Sequence, residues 1–171
     1  QHGYISANIG WVGFLGAVSG INAQGITLGE KGYGDPDGQS LSGVPMTFLL
    51  REVLSKAKNL GEAKQILESS LGTNSYMFLI SDGKTKKSEI FIKDRSRFLS
   101  FKAGEQLKDK NQSVPEIKDI QYGGHYQDRM TELLRQYHGK LTPELLMQKI
   151  IPPLAMGGNF QNVIYDPVDL K

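Results

Sequence analysis

The stretch GINAQGI, residues 20–26, is the strongest fold signal in the sequence. An apolar, small-residue run of strand length precedes it from Phe14 to Ile21, and Ile26-Thr27-Leu28 resumes strand-type chemistry after it. Asn and Gly both tolerate the positive φ that a tight turn needs, and they stand at the start and end of the short loop. The pattern therefore predicts a β-hairpin that turns between Asn22 and Gly25.

Glycine is abundant around this hairpin, because most of the 20 glycines in the chain fall in the first 43 residues. Residues 29–43 are rich in glycine and lack any periodicity, which predicts a long surface loop of the kind that is often functional. Gly10, Gly13 and Gly16 do not form a phosphate-binding loop, since neither a Lys-Ser/Thr pair nor a helix follows them. We interpret them as turn and close-packing residues.

Two helices are predicted after the loop. The apolar residues between 46 and 57 recur at helical spacing and form one face: Met46, Leu49, Leu50, Val53, Leu54 and Ala57. Asn59, followed three residues later by Glu62, has the spacing of a capping box that opens a second, shorter helix.

The rest of the chain alternates between strand and helix signals. Strands are predicted at Tyr76–Ser81, Glu89–Lys93, Phe98–Phe101 and Phe160–Tyr165, with helices from Tyr126 to Tyr137 and from Thr142 to Pro152. Residues 105–121 are polar and weakly patterned, and residues 166–169 read as a turn. This order predicts an α+β fold in which helices pack on antiparallel sheet, within a single domain over residues 1–171.

Composition excludes several classes of function. Twenty basic and 18 acidic side chains give a net charge of +2, which is too small and too dispersed for nucleic-acid binding. No apolar run reaches the roughly 20 residues that a membrane span requires. The absence of Cys excludes disulfides, thiolate metal sites and a cysteine nucleophile within these 171 residues. His2, His125 and His138 are too scattered for a metal site, no G-x-S-x-G elbow occurs, and no cofactor is expected.

Residues 20–27 resemble the G-(M/V)-N-E-x-G-L segment of the N-terminal-nucleophile hydrolases related to choloylglycine hydrolase and penicillin acyltransferase. Further segments resemble the same family in the same order: residues 43–54, 59–67, 75–90 and 159–167. The resemblance implies an αββα sandwich of antiparallel sheets. It also implies an amidase or acyltransferase in which an N-terminal Cys attacks a small amide substrate and forms an acyl-enzyme.

The resemblance also suggests site residues. Asn22 matches the motif Asn and would donate to the oxyanion, since its amide has two N–H donors and no charge. Arg129 and Asn111 are the nearest matches to a later Arg and Asn of the family's site. We expect Met46 and Phe48, with the loop over residues 29–43, to form the wall of the substrate pocket beside Asn22.

The chain begins at Gln1 and lacks the family's nucleophile. We therefore expect a piece of a longer protein, with its first strands and last strand missing and no activity alone. Its partners would be a small-molecule amide substrate and either the missing N-terminal segment or another chain that completes the sheet. Two alternatives stay open: a non-catalytic α+β binding or scaffold protein, and a small adaptor domain that is complete as given.

Overall fold

The computed structural model describes residues 3–34, 39–155, 157 and 161–171. The chain groups into two compact units, one made of Gln1–Ala103 with Tyr165–Lys171 and the other of Gly104–Ile164. Each unit is described by itself. The single domain over residues 1–171 stays a prediction.

The first unit contains a six-stranded antiparallel sheet in which the strands lie in chain order. Its strands are β1 (Ser6–Ile9), β2 (Ser19–Asn22), β3 (Ile26–Gly32), β4 (Tyr76–Asp82), β5 (Lys87–Lys93) and β6 (Phe98–Lys102). The predicted hairpin is present, since β2 pairs with β3 and Gly25 takes a φ of 80° in the turn. The two helices separate β3 from β4, and the other neighbouring strands are joined by turns or, between β1 and β2, by the segment 10–18.

Helices α1 (Met46–Lys56) and α2 (Leu60–Ser69) pack on one face of this sheet. The periodic residues of α1 are buried as predicted: Leu49, Leu50, Val53 and Leu54. Asn59 caps α2, because its side-chain oxygen accepts a hydrogen bond from the Glu62 N–H at 2.9 Å. The sequence pattern thus predicted both helices and the side of α1 that faces the core.

Alternation along the strands divides the sheet residues between two faces. The core with the two helices includes Ile26, Leu28, Phe78, Ile80 and Phe91. Intervening strand residues are buried on the opposite face: Met77, Ile90 and Ile92. An antiparallel sheet that is apolar on both faces is suited to the inside of a layered sandwich rather than to a surface.

Strand β1 forms one edge of the sheet and is exposed along all four of its residues. Apolar side chains next to it are also exposed, with Ile5 83%, Trp11 55% and Leu15 71% accessible. An open strand edge beside exposed apolar side chains is a surface that proteins ordinarily cover.

The second unit has a short hairpin and a group of helices. Its elements are β7 (Leu107–Asp109), β8 (Gln112–Val114), α3 (Gln127–Gln136), α4 (Pro143–Leu145), a π-helical turn at Leu146–Ile150 and a 3₁₀ turn at Pro152–Leu154. Thr142 caps α4 as predicted, by accepting from the Leu145 N–H at 3.2 Å. Among the described residues, no helix is both long enough and apolar enough to cross a bilayer.

Three of the predicted segments differ from the structure. The run from Phe14 to Ile21 is a strand only from Ser19, because Gly16 turns the chain with a φ of 108° and the Ala17 N–H bonds to Thr47 O. Residues 29–32 belong to β3 rather than to the loop.

The weakly patterned segment 105–121 contains the β7–β8 hairpin, whose strands of three residues are too short to show a period. Residues 161–165 are not a strand, and residue 160 lies outside the described residues.

We predict that Leu50→Ala lowers the free energy of unfolding by about 2–5 kcal/mol, because it would leave a cavity in a core where Leu50 is fully buried. Leu15→Ala is the matched control, and it should change stability by less than about 0.5 kcal/mol, since Leu15 is exposed. Urea denaturation of the two variants measures both values. Equal effects would contradict the assigned core.

Candidate functional site

A pocket lies where the loop after β3 leads into α1. It is open and has a volume of about 530 Å³. Its lining residues are Gln39, Ser40, Leu41, Pro45, Met46, Thr47, Thr73, Asn74 and Tyr76. Both the size and the mixture of apolar with hydroxyl and amide groups are typical of small-molecule sites.

Backbone hydrogen bonds hold one wall of this pocket. After β3 the chain runs beside residues 71–75, with Tyr33 N–H donating to Ser75 O at 3.0 Å and Ser40 N–H to Thr73 O at 2.8 Å. Val44 N–H donates to Leu71 O at 2.7 Å, and Gly43 fits there because a Cβ would lie 2.6 Å from that same oxygen. The described part of the loop is therefore fixed to the segment between α2 and β4.

A guanidinium strengthens the same wall. Arg95, in the turn between β5 and β6, donates to the Ser40 hydroxyl and to Ser42 O, the latter at 2.7 Å. These contacts join the loop to the turn between β5 and β6. The pocket wall is consequently supported by both a backbone ladder and a charge-assisted hydrogen bond.

Of the two residues predicted for the pocket wall, Met46 lines the pocket and Phe48 does not. Phe48 lies two positions further along α1, which turns its side chain to another face, and it is 46% exposed. Contact of either residue with a substrate stays a prediction.

Asn22 is buried, with 1% of its surface exposed, and its side-chain amide makes four hydrogen bonds. Its Nδ2 donates to Leu54 O at 3.0 Å and to Ala57 O at 2.8 Å. Its Oδ1 accepts from the N–H groups of Gln24 and Ile26, both at 3.0 Å. The amide therefore joins the hairpin turn to the C-terminal end of α1.

An amide has two N–H hydrogens, and Asn22 gives both to backbone carbonyls. It has none left for an oxyanion in this conformation, and donation would require it to release α1. Its catalytic role stays a prediction, whereas its structural role is direct.

The pocket and Asn22 do not lie side by side as expected. Asn22 lies just before β3, and the pocket loop lies just after it. Because a seven-residue strand is about 20 Å long, the two lie at opposite ends of that strand. Met46 and Asn22 also lie at opposite ends of α1, because Met46 starts the helix and Asn22 bonds to its last turn. The loop therefore packs away from Asn22.

The two other predicted catalytic residues lie in the second unit. Arg129 forms an exposed ion pair with Glu132 at 2.6 Å on α3, the arrangement of an ordinary helix-surface charge. Asn111 is exposed in the turn between β7 and β8. Neither position has the burial that a catalytic donor usually has, and a catalytic role for each stays a prediction.

Lys93 is a residue that the sequence interpretation missed. It ends β5, is 4% exposed, and lines a small void together with Met46, Thr73, Asn74 and Tyr76, which also line the pocket. Burial lowers the pKa of the Lys93 ammonium, against the opposing effect of the Asp94 and Glu68 carboxylates. The alternation of side chains along residues 89–93 could have indicated that Lys93 is buried, because Lys93 lies on the same face of the strand as Phe91.

Two neighbouring charged side chains of β3 are also partly desolvated. Glu30, near the end of β3, has its pKa raised by burial, and the neighbouring Lys31 has its pKa lowered by burial. Among the described residues, no three His, Asp or Glu side chains come together in a way that could hold a metal ion.

Comparison with known families identifies the class of protein. The family described as acyl-coenzyme A:6-aminopenicillanic acid acyl-transferase matches residues 1–143, so most of the chain is covered. The chain belongs to this family. The resemblance to the N-terminal-nucleophile hydrolases is thereby confirmed, as is the α+β fold class with antiparallel sheet.

Solved structures of the same class are similar to this chain at low identity. Two variants of conjugated bile acid hydrolase from Clostridium perfringens each show 16% identity and a TM-score of 0.46, covering 80% of this chain and 43% of that protein. Penicillin V acylase from Agrobacterium tumefaciens shows 17% identity and a TM-score of 0.40, with 71% and 37% covered. The chain thus spans about two fifths of the length of these proteins. No curated protein matches the sequence.

We predict that Asn22→Ala lowers the free energy of unfolding by about 2–5 kcal/mol, because it leaves buried carbonyl and N–H groups without partners. Asn8→Ala is the matched control on exposed β1 and should cost less than about 0.5 kcal/mol. Chemical denaturation of both variants gives the comparison. An Asn22→Ala variant as stable as Asn8→Ala would refute the structural role.

The Asn22→Asp variant tests the donor role of the amide separately from its acceptor role. It keeps acceptor oxygens for Gln24 and Ile26 but directs a carboxylate at two carbonyls, so we expect its folded-state pKa to be raised. Stability relative to the wild type should therefore recover as the pH falls through that raised pKa and be lost above it. A stability difference that does not change between pH 4 and 8 would contradict this expectation.

Proposed function

We propose that this chain is part of a cysteine N-terminal-nucleophile enzyme that acts on C–N amide bonds of a small N-acyl or peptide-like substrate, as hydrolase or acyltransferase. The observation that carries the proposal is the family match over residues 1–143. The antiparallel sheet, apolar on both faces and open at β1, supports it.

The proposed nucleophile lies outside these 171 residues, which contain no Cys. Strand β1 is where a further strand would add, because it ends the sheet, is exposed throughout, and lies beside the exposed Ile5, Trp11 and Leu15. We expect an additional N-terminal segment, or another chain, to pair with this edge and bring the Cys with it.

In the proposed reaction, the Cys sulfur attacks the amide carbonyl carbon while the Cys α-amino group accepts the thiol proton. Collapse of the tetrahedral intermediate breaks the C–N bond, and the α-amino group returns the proton to the leaving amine. Water or a second amine then attacks the acyl-enzyme and releases the thiol. The 530 Å³ pocket would hold the apolar part of the substrate against Met46 and Tyr76.

One observation favours a second candidate, a binding or scaffold protein that keeps the fold without the chemistry. The Asn22 amide, which matches the family's motif, gives both its hydrogens to α1. Because Asn22 holds α1 in place, its presence is explained without a role in binding an oxyanion.

The natural protein, with every segment that precedes residue 1, distinguishes the two candidates. Hydrolysis of a chromogenic phenylacetyl amide that is abolished by a thiol-alkylating reagent would support the enzyme. The 171-residue chain assayed alone should show no turnover. Substrate binding without hydrolysis by the natural protein would favour the scaffold.

We predict that Met46→Ala in the active natural protein lowers kcat/KM by about tenfold, mainly through KM, because it removes apolar contact in the pocket. Met147→Ala is the matched control, since Met147 is half exposed in the second unit and lines no described pocket. Steady-state kinetics with the phenylacetyl amide measures both. Equal kcat/KM for the two variants would argue against this pocket as the acyl site.

A further inference from the structure

Asn74 lies in the segment between α2 and β4 and lines the pocket of about 530 Å³. Its side-chain oxygen Oδ1 accepts a hydrogen bond from the Ser75 N–H at 2.8 Å. This bond settles which end of the amide is the oxygen, because a backbone N–H needs an acceptor. The nitrogen Nδ2, with its two hydrogens, therefore lies on the other side of the amide group.

The two Nδ2 hydrogens of Asn74 have no acceptor within the part of the chain that the structure describes. The residue is half-buried at the pocket. Asn22 is the opposite case, since both of its hydrogens are donated to backbone carbonyls of α1. Asn74 can thus donate to a ligand without breaking a hydrogen bond, whereas Asn22 cannot.

Backbone hydrogen bonds hold Asn74 from both sides. Thr73 O, just before it, accepts from the Ser40 N–H at 2.8 Å. Ser75 O, just after it, accepts from the Tyr33 N–H at 3.0 Å. Together with the bond to Oδ1, these contacts fix the backbone and the side chain of Asn74 in advance. A donor that is already fixed loses little conformational entropy when a ligand binds, so more of its hydrogen bond appears as affinity.

The other residues of the pocket determine which ligand fits beside this donor. The described lining residues are all uncharged. Met46 and Tyr76 supply apolar surface, and the Tyr76 ring is stacked on that of Phe78 with the centroids 6.1 Å apart. A ligand with an apolar group and an uncharged acceptor oxygen matches both features of this lining.

We propose that Asn74 donates to the carbonyl oxygen of an uncharged ligand whose apolar group packs against Met46 and Tyr76. The ligand class is a neutral compound in which a carbonyl stands close to an apolar group. The role of the pocket as a ligand site rests on the proposed function, although binding is measurable without turnover. No covalent bond forms or breaks in this step.

The test is an NMR titration of the 171-residue chain with phenylacetamide and with phenylthioacetamide. Sulfur replaces the carbonyl oxygen in the second probe, and it is the weaker hydrogen-bond acceptor. Sulfur is also larger and more apolar, so without the Asn74 hydrogen bond the second probe should bind equally well or better. We expect phenylacetamide to bind about fivefold more tightly, which is the effect of one hydrogen bond.

The Asn74→Asp variant removes both N–H donors and keeps an acceptor oxygen for the Ser75 N–H, so it should retain the fold. The preference for phenylacetamide should be lost in this variant. The ratio of the two affinities isolates the hydrogen bond, because the new charge acts on both probes. Asn8→Asp, the same change on exposed β1, is the matched control and should keep the preference.

A second measurement needs no variant and stays informative if Asn74→Asp does not fold. The side-chain NH₂ signals of Asn74 should shift when phenylacetamide is added and should shift much less with phenylthioacetamide. The corresponding signals of Asn22 should stay unchanged, because its hydrogens are donated to α1.

Equal affinity for the two probes, a preference that survives in Asn74→Asp, or Asn74 signals that do not shift would each overturn the proposal. Binding that depends on Asn74, together with failure of the natural protein to hydrolyse amides, would support this site and reject the proposed catalysis. Hydrolysis by the natural protein with the same kcat/KM in Asn74→Asp would reject the site and support the catalysis. The two inferences therefore fail separately.

Discussion

The first unit depends on the hydrogen bonds of one buried amide. The last carbonyls of a helix have no partners within the helix and must find them elsewhere. Asn22 supplies partners to Leu54 O and to Ala57 O at the end of α1, while its own oxygen accepts from the turn that follows β2. Strand, turn and helix are therefore held together by direct hydrogen bonds.

This link sets the distance between β2 and α1. Gly20 lies directly under the helix, where a Cβ would come within 2.7 Å of Leu54 Cδ1 and of Ala7 O. Close approach at Gly20 lets the Asn22 amide reach the helix carbonyls, and the apolar face of α1 then packs on Ile26 and Leu28. At the opposite end of α1, Met46 and the loop frame the pocket. The two ends of α1 thus have different roles, one structural and the other available to a ligand.

Local signals in the sequence were sufficient for the hairpin, for α1 and for the caps at Asn59 and Thr142, because each depends on residues within a few positions. The two helix carbonyls that accept from Asn22 lie 32 and 35 residues away, so no local pattern shows them. The resemblance identified Asn22 as important but assigned it a catalytic role. Lys93 was missed for a similar reason, since its burial depends on a segment from after α2.

The most direct test of the central claim is the deuterium exchange of the two Asn22 side-chain amide hydrogens, followed by NMR. Both should be strongly protected, with exchange approaching the rate set by opening of the first unit, because both are donated in the interior. Addition of N-phenylacetylglycinamide should leave their protection unchanged. Exchange of either hydrogen as fast as that of the exposed Asn8 amide would contradict the account.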